Sequence, residues 1–140
     1  MVEDVRTLET GGVVDRRTLF LGLVDVALVA GLVLVGFLNH GGNPVDAPLD
    51  ALETMTPFVI GWLVVVPLAD IYAPRALSSS TTAARVTALA WLAAVNVGLL
   101  LRSSPAFEGG VTWPFNLVMT GTGLVVLLTW RIGYAATVGD

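Results

Sequence analysis

Long apolar blocks alternate with short polar connections along this chain. Four blocks are present, each roughly 17–21 residues long, which is what a helix needs to cross a hydrocarbon core about 30 Å thick. The pattern predicts an all-α, polytopic membrane protein, with four transmembrane helices over residues 18–38, 57–73, 82–101 and 113–133 in an antiparallel bundle. Residues 1–15 read as a polar tail broken at Gly11-Gly12, residues 16–134 as the four-helix transmembrane domain, and residues 135–140 as a second tail.

Within the first block, helical spacing places Gly22, Asp25, Val29, Leu32 and Gly36 on one stripe. Small residues on a stripe let neighbouring helices approach closely. Asp25 therefore sits on a packing face, about 10 Å in from the start of the helix at 1.5 Å per residue. The second block starts at Pro57, where a missing N–H costs nothing, after a short helix from Pro48 to Met55. Pro67 is interior and frees a carbonyl, Asp70 follows it within the helix, and Pro74 ends the helix. The Ser78-Ser79-Ser80-Thr81-Thr82 run offers N-caps for the third helix, on which Arg85, Leu89, Leu92 and Asn96 share a face. The fourth helix carries the stripe Asn116, Thr120, Gly123, Leu127 and Arg131, with Trp113, Trp130 and Tyr134 at its two interfaces. Asn96, Asn116 and Thr120 read as interhelical hydrogen-bond partners, and Trp62 and Trp91 as packing residues. Thr56-Pro57-Phe58 and Trp113-Pro114-Phe115 open their helices alike, which hints at two duplicated hairpins.

Charge then orients the chain. Arg6, Arg16, Arg17, Arg75, Arg85 and Arg131 fall on one side of a four-helix arrangement, and Arg102 falls on the other. The positive-inside rule places both termini in the cytoplasm of a multi-pass cell-membrane protein. Arg16-Arg17 before an apolar run also matches the start of a twin-arginine export signal. The block that follows is long for a signal, contains Asp25 and precedes no small-residue cleavage site, so the pair reads as a membrane anchor. Arg102 and Glu108 form an exposed pair on the outer side.

Composition agrees and excludes. Hydrophobic residues make up 55% and charged residues 13%, about half the charged share of a soluble domain. The absence of Cys removes thiolate and zinc–sulfur chemistry. All seven basic residues are Arg, so no lysine Schiff base can form. A lone His precludes a bis-histidine haem. No phosphate loop, nucleotide fingerprint, nucleophile elbow or basic patch for nucleic acid is present. Nothing implies a cofactor, a metal or an enzyme. The acidic, lysine-free balance suits a salt-adapted organism, although a GC-rich genome biases residue usage in the same way. His40 with Asp46, Asp50 and Glu53 is either a solvated acidic loop or an oxygen site for a hard cation.

Two acids and two arginines, Asp25, Asp70, Arg85 and Arg131, fall in the inner half of the predicted bilayer. Ionisable groups in spanning helices are expensive and face protein or water. The four form either a structural ion-pair network or, around Asp25, a proton site; the arginines alternatively snorkel to headgroups.

The order of residues resembles a known family. Asp25 is followed by Pro57-Phe58, Gly61-Trp62, Pro67, Asp70 and Tyr72, then Trp91 and Arg102, then Pro114-Phe115 and Trp130-Arg131. From about Arg17 to Gly133 this resembles the domain-of-unknown-function 3054 family, small four-helix membrane proteins of halophilic archaea and some actinobacteria. The resemblance implies architecture and habitat and no activity. It marks Asp25, Trp62, Asp70, Arg102 and Arg131 as positions to test.

Two function classes follow. One is a non-enzymatic structural or accessory membrane subunit that packs in the lipid bilayer against a membrane-protein partner or itself. The other is a small oligomeric proton-coupled transporter with Asp25 as the proton or substrate site, by analogy of size with four-helix exporters that carry an acid in their first helix.

Overall fold

The computed structural model describes residues 16–107 and 115–138. The N-terminal tail with Arg6, together with Glu108, Trp113 and Pro114, lies outside the described residues. Four α-helices carry the described chain: α1 (Arg16–Asn39), α2 (Pro48–Ala69), α3 (Ser80–Arg102) and α4 (Phe115–Val138), with a 3-10 turn at Pro74–Leu77 between α2 and α3. Among the described residues, these are four helices long and apolar enough to cross a membrane. Their lengths of 22 to 24 residues correspond to about 33–36 Å of rise, enough to span the hydrocarbon layer. The chain is a multi-pass membrane protein.

The helix ends follow from local chemistry. Gly41, at φ +89°, takes the left-handed conformation after α1. Gly42 N–H then donates back to the Phe37 carbonyl at 2.9 Å, closing the orphan carbonyls of the last turn. Ser79 caps α3, its side chain accepting the Thr82 N–H at 3.1 Å, as the Ser/Thr run predicts.

In α2 the boundaries differ from the expected 57–73. The short helix from Pro48 and the spanning helix are one continuous helix, so Pro57 is interior and buried rather than at a first turn. Thr54 donates to the Asp50 carbonyl at 2.8 Å and Thr56 to the Leu52 carbonyl at 2.5 Å, so both hydroxyls bond back within the turns before Pro57. At the other end the helix stops at Ala69, and Asp70 is its left-handed C-cap at φ 53°, ψ 43°. Pro67 has no N–H for the preceding turn, and Asp is among the few residues that adopt this cap conformation. Pro74 therefore does not end α2; it opens the 3-10 turn that follows.

The core draws on all four helices, with Val29 and Val33 supplied by α1. In lipid, tails are as apolar as leucine, so close packing rather than water exclusion holds helices together. Two glycines permit the closest approach. A Cβ on Gly61 would overlap the Ala94 carbonyl oxygen, and one on Gly123 would overlap the Trp91 indole. Trp62 and Trp91 lie fully buried with ring centroids 6.5 Å apart. Trp91 also donates to the Thr120 carbonyl at 3.0 Å, tying α3 to α4. On α1 the buried stripe is Leu21, Asp25, Val29 and Val33, so Gly22, Leu32 and Gly36 flank the packing face rather than lie on it.

Gly61→Ala is expected to lower the thermal midpoint in mild detergent, costing about 1–3 kcal/mol, because the obstructing atom is backbone and cannot rotate away. Gly31→Ala meets nothing within 4 Å and should leave the midpoint unchanged or raise it, by up to about 1 kcal/mol.

Candidate functional site

Asp25 is the residue around which the polar interior is built. It lies on the buried stripe of α1 and is 0% exposed. The left-handed cap at Asp70 turns the chain under α1, so Ile71 is buried and Tyr72 reaches Asp25. From α4, the consecutive residues Trp130 and Arg131 reach it from the third side.

Each carboxylate oxygen is engaged. Oδ1 accepts the Trp130 Nε1–H at 3.0 Å. Oδ2 accepts the Tyr72 hydroxyl at 2.7 Å and also pairs with Arg131 Nη2. The Arg131 side chain is 1% exposed. Its Nη1 donates to the Ile71 carbonyl at 3.3 Å, and its guanidinium carbon lies 5.2 Å from the centre of the Tyr72 ring. Phe20 meets Trp130 edge-on at 6.2 Å, and Tyr134 packs on it at 5.7 Å. A phenol titrates only near pH ~10, so the Tyr72 hydroxyl is protonated at physiological pH and donates to Asp25. Two buried donors, Trp62 Nε1 and Arg131 Nε, make no hydrogen bond within normal geometry.

Chemically, the arrangement fixes an anion. A carboxylate has about four acceptor sites, and three strong donors from two other segments occupy Asp25. The arginine supplies the compensating charge that a buried carboxylate requires.

Residues 22–134 match the family described as Protein of unknown function (DUF3054). The chain belongs to the DUF3054 family. No curated protein and no solved structure matches it. The matched segment contains Asp25 and every residue that hydrogen-bonds to it.

Of the four charged residues expected to cluster in this DUF3054 chain, Asp25 and Arg131 come together and the other two do not. Asp70 pairs instead with Arg75 at 3.1 Å, their side chains 59% and 81% exposed. Its place in the cap points it away from the interior. Arg85 is exposed, because its face of α3, with Leu89 and Leu92, is the outward one. The inward face of α3 is instead Ala83, Thr87, Ala90, Trp91, Ala94, Val95 and Gly98.

The expected interhelical polar contacts also differ. Asn96 Nδ2 donates to Leu92 of its own helix at 2.6 Å, and the Thr120 hydroxyl donates to the Asn116 carbonyl at 2.7 Å. The Asn116 side chain accepts the Leu117 N–H at 3.0 Å. In an apolar setting these short side chains find the nearest carbonyl or N–H of their own turn. Of the further family-like positions, Pro57 and Trp62 are buried, Pro67 is exposed on α2, and Arg102 lies over the Phe115 ring at 4.6 Å. Among the described residues, no three His, Asp or Glu side chains converge to hold a metal ion.

Tyr72 and Trp130 are the site residues that residue chemistry alone missed. Trp130 read as an interface marker, yet it donates to the deepest carboxylate. The available signal was weak: both aromatics fall in the same inner half of the predicted bilayer as Asp25, and buried Tyr and Trp seek partners for their polar tips.

Asp25→Asn is expected to strand the Arg131 charge and cost about 3–5 kcal/mol, read as a large drop in thermal midpoint at neutral pH. Adding Arg131→Met to that variant should recover part of the loss. Tyr72→Phe and Trp130→Phe each remove one donor to a charged group and should cost about 1.5–3 kcal/mol. Asp70→Asn, in an exposed pair, should stay within about 0.5 kcal/mol of wild type.

Proposed function

We propose that this chain is a non-enzymatic structural or accessory subunit of the cell membrane. In this reading it is an antiparallel four-helix bundle with both termini in the cytoplasm, packed against a membrane partner or a second copy of itself. The observation that carries the reading is the saturation of Asp25. A carboxylate that relays protons or substrate must exchange partners and meet water in each cycle. This one is fully buried and held by an arginine, a tyrosine and a tryptophan.

The orientation rests on arginine. Among the described residues, Arg16, Arg17, Arg75, Arg85 and Arg131 lie at or near the helix ends close to Asp25, and Arg102 lies at the far end of α3. Positive charge favours the cytoplasmic side, which puts the Asp25 site in the inner half of the bilayer. The acidic, lysine-free composition supports a salt-adapted source.

Depth favours the competing reading. Intramembrane ionisable residues are by default functional, which keeps a proton-coupled carrier using Asp25 as the alternative. Four helices enclose little space, so such a carrier needs at least a dimer.

Proteoliposomes under an imposed pH gradient separate the two. The structural reading expects the gradient to decay as in empty vesicles, and cross-linking in native membranes to yield one defined adduct of higher mass. Accelerated proton flux that Asp25→Asn abolishes, in a variant that keeps its thermal midpoint, would overturn it.

A further inference from the structure

α1 and α4 are pinned together near one end by Asp25–Arg131 and by Phe20 against Trp130. Toward the opposite end a cleft opens, with a volume of about 1000 Å³. It runs along α1 from Leu32 to Asn39, a depth of about 10 Å at helical rise. Its floor is apolar, formed by Leu32, Val33 and Met119, and its rim carries Asn39, His40, Asp46 and Asp50. Its volume is at the upper end of the range for sites that hold small organic molecules, which combine an apolar lining with a few polar groups.

The rim decides the sign of charge. Arg102 also lines the cleft, but its guanidinium already lies over Phe115 and within the field of Glu53. Asp46 accepts from the neutral Asn43 amide at 3.0 Å, which leaves its charge uncompensated by that bond. The two rim carboxylates therefore bias the cleft toward cations, and the Phe37 ring on its wall adds a face that attracts them. A bare metal ion does not suit it, since no three His, Asp or Glu side chains converge among the described residues. An anionic amphiphile would meet like charge at the rim.

We propose that this cleft binds an amphiphilic monovalent cation, its apolar body on the Leu32, Val33 and Met119 floor and its charge at Asp46 and Asp50. The site is separate from Asp25 and stands whether or not the protein is a structural subunit.

The test uses the full chain in neutral detergent and a pair of probes of one shape and opposite charge, tetraphenylphosphonium and tetraphenylborate, in equilibrium dialysis. The expected result is saturable binding of the phosphonium and none of the borate. Asp46→Asn with Asp50→Asn should weaken it by roughly tenfold or more, as loss of two nearby charges requires, whereas Asp70→Asn at the opposite end should not. Gly36→Leu, which lines the cleft and has open space around its Cβ, should narrow it and weaken binding without lowering the thermal midpoint. Absence of saturable phosphonium binding, equal binding of the borate, or affinity unchanged in the double variant would each overturn the proposal. The double variant alters only exposed side chains, so it decides the matter even if Gly36→Leu is poorly folded.

Discussion

A charge pair within the membrane-spanning part of the fold sets the conditions for everything around it. Neither Asp25 nor Arg131 could stand alone at this depth, because an isolated buried ion is far costlier than any single packing contact. Together they are tolerable because the carboxylate is further held by Tyr72 and Trp130 and the guanidinium by the Ile71 carbonyl. That requirement reaches into three segments of chain. It fixes the rotation of α1 and of α4, and it demands that the chain after α2 turn inward so that the Ile71 carbonyl and Tyr72 hydroxyl arrive where Arg131 and Asp25 need them. The left-handed cap at Asp70 is the local solution. An exposed acid thus shapes the site without touching the buried one.

Where no charge is involved, the helices are registered by shape. Gly61 lies against the Ala94 carbonyl, and Gly123 receives the Trp91 indole. These contacts are steric and directional, which matters in lipid because an apolar surface gains little by merely leaving the tails. The two devices act on different pairs: glycine and tryptophan join α2 to α3 and α3 to α4, while the ion pair joins α1 to α4. Without Asp25 and Arg131, α1 would depend on Phe20, Val29 and Val33 for its attachment at this level.

Much of this was legible in the residues. Block length and hydropathy give the four helices, because a bilayer imposes one length scale on any spanning segment. The burial of Asp25 follows from helical spacing, and Arg131 is an obvious counter-charge at similar depth. Three things were not legible. Pro57 inside a continuous α2 depends on whether the short helix from Pro48 and the spanning helix share one axis, which the residues around the proline do not state. Asp70 fails to join the cluster because α2 ends at Ala69, and Arg85 because its face of α3 is the outward one; a stripe of similar residues reveals neither the helix end nor which face is inward. Residue chemistry also could not select Tyr72 and Trp130 from the other aromatics, since their role depends on which helices are neighbours. Their place in the DUF3054 pattern set them apart without giving a reason; the reason is the carboxylate.

The two ends of the molecule divide the work of holding α1. At the Asp25 end every polar atom of the acid is matched, and aromatic rings close over it. At the Asn39 end, α1 passes into a glycine-capped turn and a rim of acids, and the described residues of α1 and α4 leave a cleft between them. α1 also packs along α2 and places Val29 and Val33 in the shared core. What the ion pair adds is its hold on α4, the neighbour from which the cleft separates α1 at the far end.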